Sequence, residues 1–186
     1  GLTADTPLVM ELRERGSQKV VWRHNDQMTT AEKTIEVSLP QARLWSVDAP
    51  NLYELTLRLG NDEVKKRFGF RWFEVRTVKG DKQFYLNGKR ITLVTAISWS
   101  FWPDNGITPS RELAYKQVRD AKQLGMTMLN FHRTIGNPDV LDAADELGLL
   151  YFEEPGGNQY PAGKFDDGTL YTKFYFDYRN EKLARM

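Results

Sequence analysis

Phe84-Tyr85-Leu86-Asn87-Gly88-Lys89-Arg90-Ile91 is the stretch on which the reading of the fold turns. Asn-Gly between two apolar-rich arms marks a tight hairpin, because both residues tolerate positive φ. On either side of it the hydrophobic rhythm differs. Upstream, apolar residues recur every second position. Ile35, Val37 and Leu39 alternate with polar neighbours, as do Tyr53, Leu55, Leu57 and Leu59, and again Phe68, Phe70 and Trp72. A period of two means one buried and one wet face. Leu8 to Leu12 and Lys19 to Arg23 are two further strand candidates. Several short strands with polar connections predict an antiparallel, immunoglobulin-like β-sandwich over residues 1–78, short of the full strand number and so incomplete at its N-terminal edge.

Downstream the rhythm changes. Ile91 to Ile97 is a nearly continuous β-prone run, as expected of a strand covered on both faces. Ala114, Val118 and Ala121 follow helical spacing, with Pro109 placed in a first turn and Gly125 at the end. Met126 to Phe131 reads as a strand. Asn137-Pro138 reads as an N-cap followed by proline at the first helical position. Gly148 closes that helix, and Leu149 to Phe152 is a third strand. Strand, helix, strand, helix, strand predicts parallel strands with right-handed crossovers. A last helix is expected in Tyr175 to Met186. Residues 79–186 are thus read as the first three βα units of an incomplete TIM-type (β/α) barrel. A closed barrel needs about 250 residues, and the whole chain has 186.

Composition narrows the function. Net charge is +1 with both signs interspersed, and there is no basic stripe, so nucleic acid is not an expected partner. There is no cysteine and there are two histidines, His24 and His132, so neither a thiolate nor a multi-histidine metal site is expected. No apolar run approaches the ~20 residues that span a bilayer, so a membrane is not expected either. No glycine-rich phosphate loop follows a strand, which weakens a nucleotide-binding reading.

Six short strings, in order, resemble one family. They are Leu44-Trp45-Ser46 with Ala49-Pro50-Asn51-Leu52-Tyr53; Arg67-Phe68-Gly69-Phe70-Arg71; Phe84 to Lys89; Asp104-Asn105-Gly106; Ala144 to Leu150; and Glu153-Glu154-Pro155. Together they resemble the family-2 glycoside hydrolases, which include β-galactosidases, β-glucuronidases and β-mannosidases. The resemblance implies hydrolysis of β-linked sugars with retention, by two glutamates and with no cofactor. It places the acid/base in an Asn-Glu pair at the end of the fourth barrel strand and the nucleophile later, both beyond Met186. The chain alone is therefore expected to be inactive, to carry no catalytic residue, and to need the remainder of the barrel from the rest of the protein. A periplasmic or secreted location is a habit of the family. Two departures stand out. Val94-Thr95 and Ile97 replace an Arg-Gly pair and a polar residue on the first barrel strand. Asn130, His132 and Arg133 occupy the place of Arg-x-Ser-His on the second. These departures motivate an alternative, a non-catalytic carbohydrate-binding or interaction module with a degenerate barrel segment.

Candidate substrate-binding residues follow from position, since barrel enzymes build their sites at the carboxyl ends of strands. Asn130 and His132 share strand parity, and a neutral imidazole can exchange hydrogen bonds with a sugar hydroxyl. Trp99 and Trp102 follow the first barrel strand and could stack on pyranose faces. Glu153 and Glu154 are adjacent on a strand, so they point to opposite faces and are rejected as a catalytic pair. Glu154 is a candidate at the barrel mouth, accepting from a sugar or orienting another side chain, with a structural carboxylate bonded to neighbouring backbone or an arginine as the alternative. Arg133, of opposite parity to His132, is expected in a salt bridge. The aromatic-rich stretch after Pro155 is read as a long loop over the mouth.

Overall fold

The computed structural model describes residues 6–17, 19–99, 106, 108–154, 177, 180, 181 and 184. The chain divides into two compact units, Gly1–Ile91 and Thr92–Met186.

In the first unit β1 (Thr6–Glu14) pairs antiparallel with β2 (Val20–Met28) and with β3 (Tyr53–Leu59), and β3 pairs with β4 (Asp62–Phe68). The sheet order is β2-β1-β3-β4. Register explains the alternation. Met10 lies opposite Leu57 and Leu12 opposite Leu55, which collects the apolar side chains on one face. Glu11 lies between Arg23 and Thr56 on the other. Glu11 is buried there beneath arginines: it is paired with Arg23, lies 3.2 Å from Arg13 and 3.7 Å from Arg58.

Ile35, Val37 and Leu39 do lie over the apolar face, where with Leu8, Met10 and Leu12 they line a cavity of about 410 Å³. They form no strand, however, and have no ladder partner among the described residues. Period-two patterning specified which side chains turn inward, not that the backbone would be paired.

The same distinction applies beyond Phe68, where β4 ends. Phe70 instead receives the N–H of Trp45 on its carbonyl at 2.9 Å. Trp45 is fully buried, with the Arg71 guanidinium 4.3 Å from its ring centroid. Gly69 lies so close that a Cβ there would stand 2.8 Å from the Trp45 Cβ.

β5 (Phe73–Val78), β6 (Asp81–Leu86) and β7 (Lys89–Arg90) form a second antiparallel sheet. The expected turn is present: Asn87 and Gly88 have φ of 52° and 75°, the primed-turn geometry that matches strand twist.

The second unit has the expected order β8 (Thr95–Ser98), α1 (Arg111–Gln123), β9 (Met128–Phe131), α2 (Pro138–Leu147), β10 (Leu150–Glu153). The three strands are parallel, in the order β10-β9-β8. β8 is shorter than expected, because Ile91 to Val94 form no ladder: the Ile91 N–H donates to the Phe84 carbonyl of β6 at 2.9 Å. The Val94 carbonyl instead accepts from Thr127 and Met128 N–H.

Ser110, not Pro109, opens α1, its hydroxyl accepting from Leu113 N–H at 3.2 Å; Pro109 lies just outside. Asn137 caps α2 with Pro138 behind it, and Gly148 at φ 81° ends it. Ala114, Val118, Leu129, Phe131, Val140 and Leu149 form the core between helices and sheet. The other face of the sheet presents Thr95, Ile97, Met128, Asn130, Leu150 and Phe152. In the last expected helix, Asp177, Asn180, Glu181 and Ala184 are helical.

Candidate functional site

Three parallel strands end together. Ser98, Phe131 and Glu153 are in register, so the next residues, Trp99, His132 and Glu154, leave the sheet side by side. The His132 N–H donates to the Ser98 carbonyl at 2.9 Å, which extends the ladder by one bond. The Trp99 and His132 rings meet edge to face with centroids 4.5 Å apart. Glu154 Oε2 stands 3.6 Å from His132 Nδ1, an ion-pair distance longer than a hydrogen bond.

Glu154 is held from several sides. Its Oε2 accepts the Arg133 N–H at 2.9 Å, and its own N–H donates to the Thr134 carbonyl at 3.2 Å. The Arg133 N–H holds the Glu154 carboxyl below the ordinary carboxylate range, against the opposing effect of burial. His132 and the donating Asn130 side chain act in the same direction. Asn130 thus joins the cluster as its parity predicts, and its Oδ1 is buried with no partner among the described residues. Trp99, at 63% exposure, is open to solvent. Asn130, His132, Glu154 and Trp99 therefore converge, whereas Trp102 and the aromatic stretch after Pro155 lie outside the described residues.

The two adjacent glutamates do something that parity did not anticipate. Glu153 Oε1 accepts the Gly136 N–H at 2.7 Å, so both carboxylates bind main chain of the loop 132–136. The loop turns back sharply at Arg133, which has φ of 58°. No ion pair involves the Arg133 side chain among the described residues, so the expected salt bridge is replaced by this backbone contact. Gly136 is the residue that sequence reasoning missed. A Cβ there would stand 2.7 Å from both Leu141 Cδ2 and Phe131 Cε2. The available signal was a glycine two residues before a proline-initiated helix, in a loop facing two strand-end carboxylates. Among the described residues no group of acids and histidines could hold a metal ion.

The cluster offers a hydrogen-bonding imidazole, a fixed carboxylate, a buried amide oxygen and an exposed indole. That set suits a polyhydroxylated ligand with one apolar face. The family model "Glycosyl hydrolases family 2" matches residues 7–71. A putative β-glucuronidase of Formosa agariphila is 34% identical over 122 residues, covering 63% of this chain and 14% of the relative. A β-galactosidase of Thermoanaerobacterium thermosulfurigenes is 32% identical over 163 residues, 81% of this chain and 22% of the relative. Among solved structures, a glycosyl hydrolase family 2 member from Bacteroides cellulosilyticus is similar at TM-score 0.70 and 26% identity, over 82% of this chain and 22% of that one. The Parabacteroides merdae β-glucuronidase shares the fold at TM-score 0.69 and 24% identity, over 81% of this chain and 19% of that one. The family model, these relatives and the structural neighbours together support a fragment of a family-2 glycoside hydrolase. It spans under a quarter of the length of the curated relatives named here.

Proposed function

We propose that the protein containing this chain hydrolyses β-linked O-glycosides with retention, and that this chain supplies sugar-contacting groups rather than the catalytic pair. The observation that carries the reading is the convergence of Asn130, His132, Glu154 and Trp99 at the carboxyl ends of three parallel strands. In barrel enzymes that end of the strands is where substrates bind. In this reading β8 to β10 with α1 and α2 open a (β/α) barrel, and β1 to β4 form one layer of an immunoglobulin-like sandwich. The parallel order with both helices on one face supports the first. The apolar sheet face under Ile35, Val37 and Leu39 supports the second.

His132 exchanges hydrogen bonds with a ring hydroxyl, Trp99 stacks on the apolar face of the pyranose, and Asn130 offers its unpartnered Oδ1. Glu154 already accepts a backbone N–H, which supports a role in orienting its neighbours. The two catalytic glutamates belong to sequence C-terminal to Met186, at the ~5–5.5 Å separation that retention needs.

Sequencing past Met186 and assaying the longer product on aryl β-glycosides tests this. An Asn-Glu pair, a later strand-end glutamate and turnover with retained configuration are expected. Binding of sugar without turnover, and absence of both motifs, favours a carbohydrate-binding module. Turnover by the 186-residue chain alone would overturn the division of labour.

A further inference from the structure

We infer that Glu154 is a positioning residue that sets the proton of His132 on Nδ1 and leaves Nε2 as the hydrogen-bond acceptor presented to a ligand. Which imidazole nitrogen carries the proton is decided by the group facing the other one. Here the facing group at Nδ1 is a carboxylate oxygen, at 3.6 Å, which favours N–H there and disfavours a lone pair. That carboxylate cannot swing away cheaply, because the same Oε2 accepts the Arg133 N–H at 2.9 Å and the Glu154 main chain is tied to Thr134. The ring cannot turn freely either. Trp99 packs edge-on against it, and the His132 main chain is bonded to Ser98. Glu153 anchors the far end of the same loop through Gly136 without approaching the imidazole. An Nδ1–H imidazole offers its acceptor at Nε2, so the ligand hydroxyl at this position donates. The proton position stands on the geometry alone; its use in binding a sugar rests on the glycosidase reading.

The chain carries its own reference. Its other histidine, His24, has a carboxylate on the opposite nitrogen: Nε2 lies 3.3 Å from Asp26 Oδ2. The two histidines are therefore expected in opposite tautomers. Long-range proton–nitrogen correlation spectra of the 186-residue chain at about pH 8, above the ordinary histidine range, read this directly. His132 is expected as Nδ1–H and His24 as Nε2–H. Glu154→Leu removes the oxygen that both accepts from Arg133 and faces Nδ1, so His132 is expected to shift to Nε2–H. Glu153→Gln is expected to leave the His132 pattern unchanged. Nε2–H at His132 in the wild-type chain, or no change in Glu154→Leu, overturns the inference, as does an equal shift in Glu153→Gln. Loss of glycosidase activity from the longer protein has no bearing on this readout, so the two proposals fail separately.

Discussion

Asn87 holds Trp45 from 42 residues away: its side-chain amide donates to the Trp45 carbonyl at 2.8 Å. The same side chain accepts the Trp72 N–H on its Oδ1 at 3.1 Å, while its backbone sits at φ 52°. One residue therefore makes the turn and fixes the segment that closes over the buried indole.

Replacing Asn87 separates these roles. Asn87→Ala loses both hydrogen bonds and places an alanine in left-handed geometry, with an expected cost of about 2–4 kcal/mol. Asn87→Gly keeps the turn and loses only the bonds, so it is expected to cost about 1–2 kcal/mol. Urea titration followed by tryptophan fluorescence ranks the two; equal losses would show that only the bonds matter.

Gly136→Ala is expected to destabilise the second unit by about 1–3 kcal/mol, as overpacking does, because the new methyl meets Leu141 and Phe131 at 2.7 Å. Hydrogen exchange should localise the loss to β9 and α2. Uniform loss across both units, or none, would contradict the packing argument.

Acid sensitivity follows from carboxylates held below their ordinary range. Glu154, through the Arg133 N–H, and Glu11, chiefly through Arg23 and then Arg13, both ionise at lower pH folded than unfolded. Between the two values the unfolded chain binds more protons, so stability rises with pH there and is lost as the solution is acidified. The contribution is complete above the unfolded value of about 4.3 and is lost as pH drops through the depressed one. Denaturation midpoints measured across this range should show a shallower slope in Glu11→Gln and in Glu154→Gln. An unchanged slope in both would mean that other groups govern acid unfolding.

In the longer protein, His132→Ala is expected to lower kcat/KM by about 10- to 100-fold, the range for losing one ligand hydrogen bond of about 1.5–3 kcal/mol. His132→Gln should recover part of it. A loss confined to KM would indicate equal binding of ground and transition states.

Much of this architecture was legible before any coordinates. Asn87-Gly88 announced its turn because few residues tolerate two successive positive φ values. Asn137-Pro138 and Gly148 bracketed α2 because capping chemistry is local. Strand parity brought Asn130 and His132 together. What stayed hidden depended on partners distant in sequence. Ile35 to Leu39 alternate as a strand does, yet alternation reports facing, not pairing. Glu153 and Glu154 point apart by strand geometry, but β10 ends at Glu153 and the left-handed turn at Arg133 folds one loop back onto both carboxylates. No local rule connects those residues, because the contact spans 21 positions for Glu154 and 17 for Glu153.

The sheet face carrying Ile97 and Phe152, at 58% and 54% exposure, bears on how this chain behaves in the hand. Oily, flat, and fringed by strand backbone, it invites copies to stick to one another. Overproduced alone, the polypeptide should gather in inclusion bodies or elute as concentration-dependent aggregates. Ile97→Lys with Phe152→Lys should restore a monodisperse monomer in light scattering.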